Sequence, residues 1–375
     1  MKICHFTSVH KSNDVRIFEK ECVSLAQAGY EVYLVAAGDC DRVEKGVHVI
    51  SVKPEKSGRL YRMRRFAKLI FRKALELNAD VYHFHDPELL RFAKKIKQAG
   101  KIVVYDAHED LPLQISGKHW IPVFLRNSAA RAAKKYLKRC AGYLSAIVAA
   151  TPAIEDSFTG FPIPIRTIAN YPIPDEVLLN GSIPEKKNTF CYIGGLSEIR
   201  GLSSMLDAAS EADITIEMAG PFSPPGLLEE TKQHQSWSRI IYHGVVGRQV
   251  VYEIMSRSIA GLVLLHPQSN YLESLPVKMF EYMAAGIPVI ASDFPLWRSI
   301  VSENNCGICV DPKDIGAITN AINFIISNDE EAKKMGDNGR AAVIEKYNWD
   351  TEKKKLIELY RQLSENSQTD RKKHL

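Results

Sequence analysis

Two glutamates stand eight positions apart in the segment ESLPVKMFEYMAAGIPVIASD, residues 273–293. Glu273 and Glu281 lie on either side of Lys278, which precedes Glu281 by three residues and shares a helix face with it. Carboxylates beside a phosphate would repel it, so we interpret the pair as acceptors for hydroxyl groups of a ribose and a sugar. This combination predicts a nucleotide-sugar ligand. The alternative is a capping acid and a surface acid on an ordinary helix.

A helix start accounts for the residues between the glutamates. Pro276 fits the first turn of a helix, which needs no amide donor from it, and Gly286 with Pro288 ends the helix. The free amides of a first turn carry partial positive charge and favour a phosphate. We therefore predict that a donor diphosphate meets the chain near three consecutive residues, Leu275, Pro276 and Val277.

A second feature suited to anions is the stretch YIGGLSEIRGL, residues 192–202. It indicates a strand, a Gly-Gly turn and a helix, an order that brings backbone close to a diphosphate. Gly194 and Gly195 form the turn, and Arg200 lies at the start of the new helix, where it can pair with phosphate oxygens. The stretch matches neither the G-x-G-x-x-G fingerprint nor a P-loop.

Both halves of the chain alternate short apolar runs with amphipathic segments. The runs are rich in Val, Ile and Tyr without strict alternation, which indicates strands buried on both faces of a parallel sheet. The predicted strands are 2–7, 31–37, 47–52, 80–85, 101–107 and 145–150, then 189–194, 214–220, 239–244, 260–266, 287–293 and 307–312. The fold class is therefore α/β, with two parallel sheets that carry helices on both faces.

A length of 375 residues predicts two domains, and a stretch rich in proline and glycine separates them. The tail is polar enough to predict disorder. The expected order is an N-terminal domain (1–170), a linker (171–188), a C-terminal domain (189–349), a closing helix (350–364) and a disordered tail (365–375).

The composition, 45% hydrophobic and 25% charged, is typical of soluble globular proteins. The sequence has no run of about 18 apolar residues that would predict a membrane span. Its N-terminus lacks the apolar stretch of a signal peptide, so we expect a cytoplasmic protein. Seven cysteines, an odd number without a framework, predict reduced thiols.

The glutamate spacing resembles that of the retaining glycosyltransferases of family 4, which have the GT-B fold of two facing Rossmann-like domains. The resemblance covers about residues 1–360 and includes the GIPV turn after the second glutamate. It implies that the first domain is on the acceptor side, that the second binds the nucleotide-sugar and that the closing helix crosses back to the first domain. It implies that Glu273 meets hydroxyls of the donor sugar and that Glu281 meets the ribose. Arg200 matches a family lysine, but Gly195 stands where the family has an arginine. We predict that Lys278 supplies this missing phosphate cation.

The first half adds the segment YDAHEDLP, in which His108 follows a strand where the family has a histidine near the donor sugar. In HFHDPE, His85 and Asp86 match another family strand end and are expected to face the cleft between the domains. The resemblance thus assigns catalytic roles to four residues, His108, Glu273, Lys278 and Arg200.

The resemblance implies no metal ion, because GT-B enzymes neutralise the leaving diphosphate with cations and helix dipoles. Asp39 and Asp41 have the Asp-x-Asp spacing of metal-binding glycosyltransferases, but no other ligand lies near them in sequence. We expect no cofactor beyond the donor substrate, a UDP-sugar or GDP-sugar, and no nucleic-acid partner.

The function that the resemblance implies is retaining transfer of a sugar to a hydroxyl of a saccharide acceptor in bacterial surface polysaccharide synthesis, of O-antigen, capsule or exopolysaccharide. Two alternatives remain open at this point. One is a nucleotide-sugar epimerase of the same fold, and the other is a sugar-binding protein without catalysis.

The charge of the chain is uneven: residues 1–175 have 28 Lys and Arg against 18 Asp and Glu. The segment 59–75 has seven basic residues and no acid, and 126–139 has six more. In the first segment an apolar stripe has helical spacing, namely Leu60, Met63, Phe66, Leu69 and Ile70. Either such stripes face their own sheet, or the basic face docks on anionic lipid. The family's use of lipid-linked acceptors implies a polyprenyl-diphosphate-linked acceptor and a peripheral membrane location.

Overall fold

The computed structural model describes residues 1–116, 121–177 and 189–373, and it contains two compact units. The first unit comprises Met1–Asn170 with Asp350–Leu375, and the second comprises Tyr171–Trp349. Among the described residues, no helix is long and apolar enough to cross a membrane.

The first unit is built on a sheet whose described strands run in the order β3-β4-β2-β1-β5-β6-β7-β8. All neighbours are parallel except β3 and β4. The strands are β1 Lys2–Lys11, β2 Glu31–Ala37, β3 Arg42–Glu44, β4 Val47–Val52, β5 Val81–Phe84, β6 Ile102–Ala107, β7 Ala146–Ala149 and β8 Ile165–Thr167.

Helices pack on this sheet because each presents an apolar stripe to it. Phe66, Ile70 and Phe71, for example, are buried against the strands. The helical segments are Val15–Cys22, Val23–Gln27, Arg59–Tyr61, Arg62–Phe66, Ala67–Glu76, Pro87–Phe92, Ala93–Gln98, Leu111–Ser116, Val123–Ala141, Pro152–Ser157 and Trp349–Lys373.

The second unit has a fully parallel sheet in the order β11-β10-β9-β12-β13-β14 among the described strands. Apolar clusters lie on both of its faces, which is why its strands show no polar alternation. The strands are β9 Thr189–Ile193, β10 Thr215–Ala219, β11 Ile240–Tyr242, β12 Ala260–Val263, β13 Val289–Ser292 and β14 Gly307–Val310.

Helical segments follow most of these strands. They are Pro174–Val177, Glu198–Arg200, Leu202–Glu211, Leu227–Thr231, Gln235–Arg239, Arg248–Arg257, Ser269–Leu272, Val277–Ala285, Pro295–Glu303, Ile315–Ser327 and Asp329–Glu345.

Both sheets have the Rossmann strand order. Without the short edge strands β3 and β8, each order is third, second, first, fourth, fifth and sixth strand of its unit. The order reverses between β1 and β5 in the first sheet and between β9 and β12 in the second. In open α/β sheets, ligands bind outside the carboxyl ends of the strands at such a switch point. The predicted fold class of two Rossmann-like domains is therefore confirmed.

The structure differs from the prediction at two edge strands and at the end of the last helix. Strands β3 and β8 were missed because each is three residues long and carries polar side chains. The last helix continues to Lys373, so the predicted disordered tail (365–375) is helical to that residue. Nothing ends the helix earlier, since residues 365–373 contain neither proline nor glycine. Within the predicted linker, residues 178–188 lie outside the described residues.

Candidate active site

The Gly-Gly turn follows β9 at the switch point of the second sheet. Gly194 has φ 128°, a backbone conformation that favours glycine, and its amide donates to the Ala219 carbonyl at 2.8 Å. The Gly195 carbonyl accepts the Tyr192 hydroxyl at 2.8 Å and Arg200 Nη1 at 3.4 Å. The turn is thus fixed from both sides, and a predicted phosphate cation is bonded to it.

Lys278 lies over the same turn. A Cβ atom at Gly194 would be 3.0 Å from Lys278 Nζ, and a Cβ at Gly195 would be 3.0 Å from Arg200 Nη1. Both cations therefore converge on the two glycines, as the prediction that Lys278 replaces the missing arginine requires.

The Lys278 ammonium is shielded from solvent, although the residue as a whole is half-buried. Among the described residues Nζ has no hydrogen-bond partner and lies 3.5 Å from the centroid of the Tyr192 ring. Burial, followed by the neighbouring charge of Arg200, lowers the pKa of Lys278 well below its ordinary value. A buried cation supported mainly by a ring is costly, so this place favours an anionic ligand.

The helix that carries Lys278 begins at Val277, with Pro276 as its N-cap and no side chain bonded to its first amides. The loop before it, which includes Leu275, is held by the buried Trp297, whose Nε1 donates to the Ser274 carbonyl at 2.7 Å. An unobstructed helix N-terminus and a fixed loop are suited to a phosphate.

The two glutamates have different surroundings. Glu273 is exposed at the end of the short helix Ser269–Leu272, whereas Glu281 is buried. Arg248 Nη2 lies 3.9 Å from Glu281 Oε1 and 2.6 Å from Glu176 Oε2. Burial opposes the charge of Arg248, but Tyr252, Glu176 and Glu281 raise the pKa of its guanidinium. Arg248 was not predicted, because 33 positions separate it from Glu281 in sequence.

His108, in the first unit, follows β6 and keeps 21% of its side chain exposed. Its Nε2 lies 2.9 Å from Asp106 Oδ2. Asp106 in turn accepts two hydrogen bonds from Arg16, of 3.0 and 2.9 Å. The imidazole is thus oriented by a fixed carboxylate. Sequence reasoning missed Asp106, although its position two residues before His108 places both on one strand face.

His85 and Asp86 are both buried, 2% and 1% exposed, and their expected position at a cleft stays a prediction. Asp86 accepts hydrogen bonds from the Thr7 hydroxyl at 2.9 Å and from the amide and hydroxyl of Ser8. These bonds give it a structural role beside residues 7 and 8 of β1. His85 joins a buried network with Asp106.

The Asp39 and Asp41 pair has local protein partners. Asp41 Oδ1 accepts the Ser51 amide at 2.7 Å, and Asp39 Oδ1 lies 3.5 Å from Lys53 Nζ. Two other groups of metal-binding side chains occur in the described part of the chain. They are His5 with Glu21, His83 and His85, and His85 with Asp106 and His108.

Two family profiles match the chain. The profile described as Glycosyltransferase Family 4 matches residues 19–171, and that described as Glycosyl transferases group 1 matches residues 179–342. The chain belongs to the family 4-like GT-B glycosyltransferases. Each profile matches most of one unit, although the first leaves out β1 and the last helix.

Curated relatives of this glycosyltransferase are distant. An MMP alpha-(1->4)-mannosyltransferase of Mycolicibacterium hassiacum is 22% identical over 169 residues, 43% of this chain and 40% of the relative. O-antigen chain mannosyltransferase C of Escherichia coli is 23% identical over 179 residues, 48% of this chain and 47% of the relative. The matched part of the chain thus spans less than half the length of these relatives.

Among solved structures, Anabaena HepE in complex with UDP-glucose superposes with a TM-score of 0.71 at 15% identity. The superposition covers 96% of this glycosyltransferase and 100% of the Anabaena chain. At this identity the likeness supports the fold alone.

Proposed function

We propose that this chain transfers a hexosyl group from a UDP- or GDP-sugar to a hydroxyl of a saccharide acceptor, with retention of configuration. The observation that carries the proposal is the shielded ammonium of Lys278, which lies with Arg200 over the Gly194–Gly195 turn without a hydrogen-bond partner in the described chain. A diphosphate placed there would supply the missing anion.

The donor would lie along the helix Val277–Ala285. Its diphosphate would meet Lys278, Arg200 and the uncapped first amides, while Glu281 would accept the ribose hydroxyls and the exposed Glu273 those of the sugar. The UDP-glucose bound by the Anabaena protein of the same fold supports a donor of this class.

The reaction would break the bond between the anomeric carbon and the diphosphate oxygen, and the bonding pair would leave with the diphosphate. The cations stabilise that charge, which is the main contribution expected of such a site. The acceptor oxygen would bond to the anomeric carbon on the same face, and its proton would pass to the departing phosphate. This route needs no metal ion at the diphosphate and no general-base carboxylate.

We further propose a lipid-linked acceptor, a polyprenyl-diphosphate saccharide of surface polysaccharide synthesis. In the first unit, a pocket of about 700 Å³ joins the two basic segments of the sequence. Apolar side chains and three arginines line it, among them Leu60, Met63, Ile115, Arg59, Arg64 and Arg91. The neighbouring Val123 and Phe124 are 73% and 81% exposed. Arginines beside an apolar surface suit a lipid diphosphate.

The structure limits which residues face a membrane. Phe66 and Ile70 of the predicted stripe are buried in the core of their own unit, whereas Leu60 is 72% exposed. Arg64, Arg65 and Lys68 are exposed, but Arg62 is engaged with Glu88 at 3.5 Å. The lipid-facing surface would therefore consist of Leu60, the three exposed cations and the start of the helix Val123–Ala141.

The transfer proposal is tested with a panel of radiolabelled UDP- and GDP-sugars and a lipid extract that contains polyprenyl-diphosphate saccharides. Label that moves into the organic phase with wild type but not with Lys278→Met supports transfer. Altered nucleotide-sugar or free nucleotide without acceptor indicates an epimerase, and binding without turnover indicates a sugar-binding protein. Either result contradicts the proposal.

The membrane proposal is tested by co-sedimentation with phosphatidylglycerol vesicles at low and high salt. We expect binding that salt weakens and that the triple change of Arg64, Arg65 and Lys68 to Glu abolishes, since each charge near the surface contributes about 1 kcal/mol. In a matched control, three exposed lysines of the second unit are changed to Glu, namely Lys313, Lys333 and Lys334. Vesicle binding that is the same at low and high salt and in both triple variants would favour a soluble acceptor.

A further inference from the structure

Four buried side chains converge beside the switch point of the first sheet. His5 on β1 pairs in register with His83 on β5, and His85 lies two residues further along, on the same face. Glu21 reaches them from the helix Val15–Cys22. His5, Glu21 and His83 are 0% exposed and His85 is 2% exposed. One ligand atom from each lies within 4.8 Å of the other three.

The outer nitrogen of each imidazole is already held by a protein group. His85 Nδ1 lies 3.1 Å from Asp106 Oδ2. The Tyr360 hydroxyl lies 2.8 Å from His83 Nδ1 and 3.2 Å from His5 Nε2. A phenol oxygen has two acceptor positions, so it can take an N–H from both rings. Histidines that bind metal ions are fixed through their outer nitrogen in this way.

The inner atoms of the cluster are poorly satisfied. Within the described part of the chain, His83 Nε2 and both Glu21 oxygens have no hydrogen-bond partner. Glu21 Oε1 makes an ion-pair contact with Arg16 Nε at 3.2 Å, and Oε2 is 3.8 Å from His5 Nδ1. His5 Nδ1 and His85 Nε2 are hydrogen-bonded to each other at 3.1 Å, a bond that an ion between them would replace. Buried polar atoms are rarely left unpaired, so a group that binds several of them is expected.

The charges around the cluster also favour a cation. Arg16 faces two buried carboxylates, those of Asp106 and Glu21. Buried charges are normally paired, so a second positive charge suits a place where one guanidinium faces two carboxylates.

We propose that this cluster is a structural site for one divalent ion of the zinc class. Its ligands are His5 Nδ1, His83 Nε2, His85 Nε2 and a carboxylate oxygen of Glu21. Three imidazoles and one carboxylate suit Zn²⁺, and four protein ligands without an open position are typical of a structural site. Tetrahedral ligands at 2.0–2.1 Å from the ion lie about 3.4 Å apart. The four atoms, within 4.8 Å of one another, need to draw together by about 1.4 Å at most.

The ion would join elements that are far apart in sequence. It would tie β1 and β5 to the helix Val15–Cys22 directly, and through Tyr360 it would hold the last helix, Trp349–Lys373, against the first unit. The site is distinct from the diphosphate site of the second unit, and it stands whether or not the proposed transfer activity is found.

The first test measures metal content of the full chain without a histidine tag, purified from zinc-supplemented medium and washed with a weak chelator. We expect inductively coupled plasma mass spectrometry to find one zinc ion per chain. Removal of the ion with a strong chelator should lower the Tm. Co²⁺ in place of zinc should give the visible absorption of a tetrahedral nitrogen and oxygen site. Zinc content well below one ion per chain, without a cobalt spectrum, would overturn the proposal.

Variants locate the ion. His83→Gln and Glu21→Gln should lose the zinc and the cobalt spectrum. Tyr360→Phe keeps every ligand but removes the group that fixes two of them, so its Co²⁺ affinity should fall about 10- to 100-fold. His234→Gln, in the second unit and in neither histidine group, is the matched control and should bind as wild type. His108→Gln tests the second group, which shares only His85 with the first, and should keep the zinc.

Loss of the metal in His108→Gln but not in His83→Gln would place the ion at Asp106 instead and contradict the proposal. If His83→Gln does not fold, as judged by circular dichroism, Tyr360→Phe decides the question: unchanged cobalt affinity would argue against the site. UDP affinity, measured in parallel, should be the same with and without the ion, because the nucleotide residues lie in the other unit.

Discussion

At the switch point of the second sheet, two cations, Lys278 and Arg200, converge on a glycine turn, and the lysine has no hydrogen-bond partner in the described chain. At the switch point of the first sheet, negative charge predominates instead. There two carboxylates, Asp106 and Glu21, share Arg16, and Nε2 of the neighbouring His83 has no hydrogen-bond partner in the described chain. Each place thus favours a ligand of the opposite charge.

Access distinguishes the two places. Lys278 is half-buried and Glu273 is exposed, so a ligand can enter and leave the second site. The side chains of the first cluster are 0–2% exposed, which is compatible with an ion bound during folding but not with rapid exchange. The comparison suggests a substrate site in one unit and a permanent structural ligand in the other.

The largest expected effect comes from Lys278. Its replacement by Met should lower kcat about 100-fold or more, the scale of losing one preorganised charge-stabilising donor. Gly195→Arg in the same chain should restore part of the rate, because a side chain there meets the movable tip of Arg200 rather than backbone. Steady-state kinetics with the best donor measures both. A wild-type kcat in Lys278→Met would show that the lysine does not contribute to catalysis.

The second effect separates the two glutamates. Glu281→Ala should weaken free-nucleotide binding by about 1.5–3 kcal/mol, because the ribose loses a charged acceptor. Glu273→Ala should lower turnover while free nucleotide binds as before, since its carboxylate is expected at the sugar. Calorimetry with UDP and GDP gives the affinities. Equal losses of nucleotide affinity in both variants would contradict this division of roles.

The second site could be predicted from sequence because its parts are local. A strand, a glycine pair and an arginine lie within residues 189–200, and the glutamates flank a helix start within nine residues. Backbone rules for strand ends and helix termini place such groups without tertiary information. Arg248 was not predictable in this way, since only packing of the helix Arg248–Arg257 brings it to Glu281.

The first cluster could not be predicted, because its members are distant in sequence. His5 and Tyr360 are 355 positions apart, and His5 and His85 are 80 apart. Their meeting depends on the register of β1 with β5 and on the return of the last helix to the first unit. Strand alternation in the stretch HFHD, residues 83–86, places His83 and His85 on one face but gives no indication of their partners.

A third prediction contrasts the two glycines of the turn. Gly194→Ala should destabilise the protein by about 1–2 kcal/mol, because its positive φ is unfavourable for a residue with a Cβ. The new methyl would also lie 3.0 Å from Lys278 Nζ and should weaken UDP binding. Gly195→Ala is the control: it needs only a small shift of the Arg200 tip. Similar urea midpoints for the two variants would show that the turn is less constrained than its φ indicates.

The smallest expected effect is a proton taken up when nucleotide binds. Burial and Arg200 lower the pKa of Lys278 in the free protein, and a bound diphosphate should raise it again. Between these two pKa values the complex holds a proton that the free protein lacks, so UDP affinity should fall as pH rises through that window. Above about pH 7 the diphosphate is fully ionised and contributes little to this slope.

Calorimetry between about pH 7.5 and 9.5, in buffers of different ionisation enthalpy, counts the protons taken up. Neighbouring Tyr192 does not interfere, since burial raises its pKa to about 12. Lys278→Arg provides the control, because a guanidinium stays protonated over this range; its UDP affinity should be independent of pH and its binding free of proton uptake. If wild type and Lys278→Arg show the same pH slope, the proton belongs to another group. In that case Lys278 would not change its charge on nucleotide binding, and in this respect it would not differ from the buried charges of the first unit.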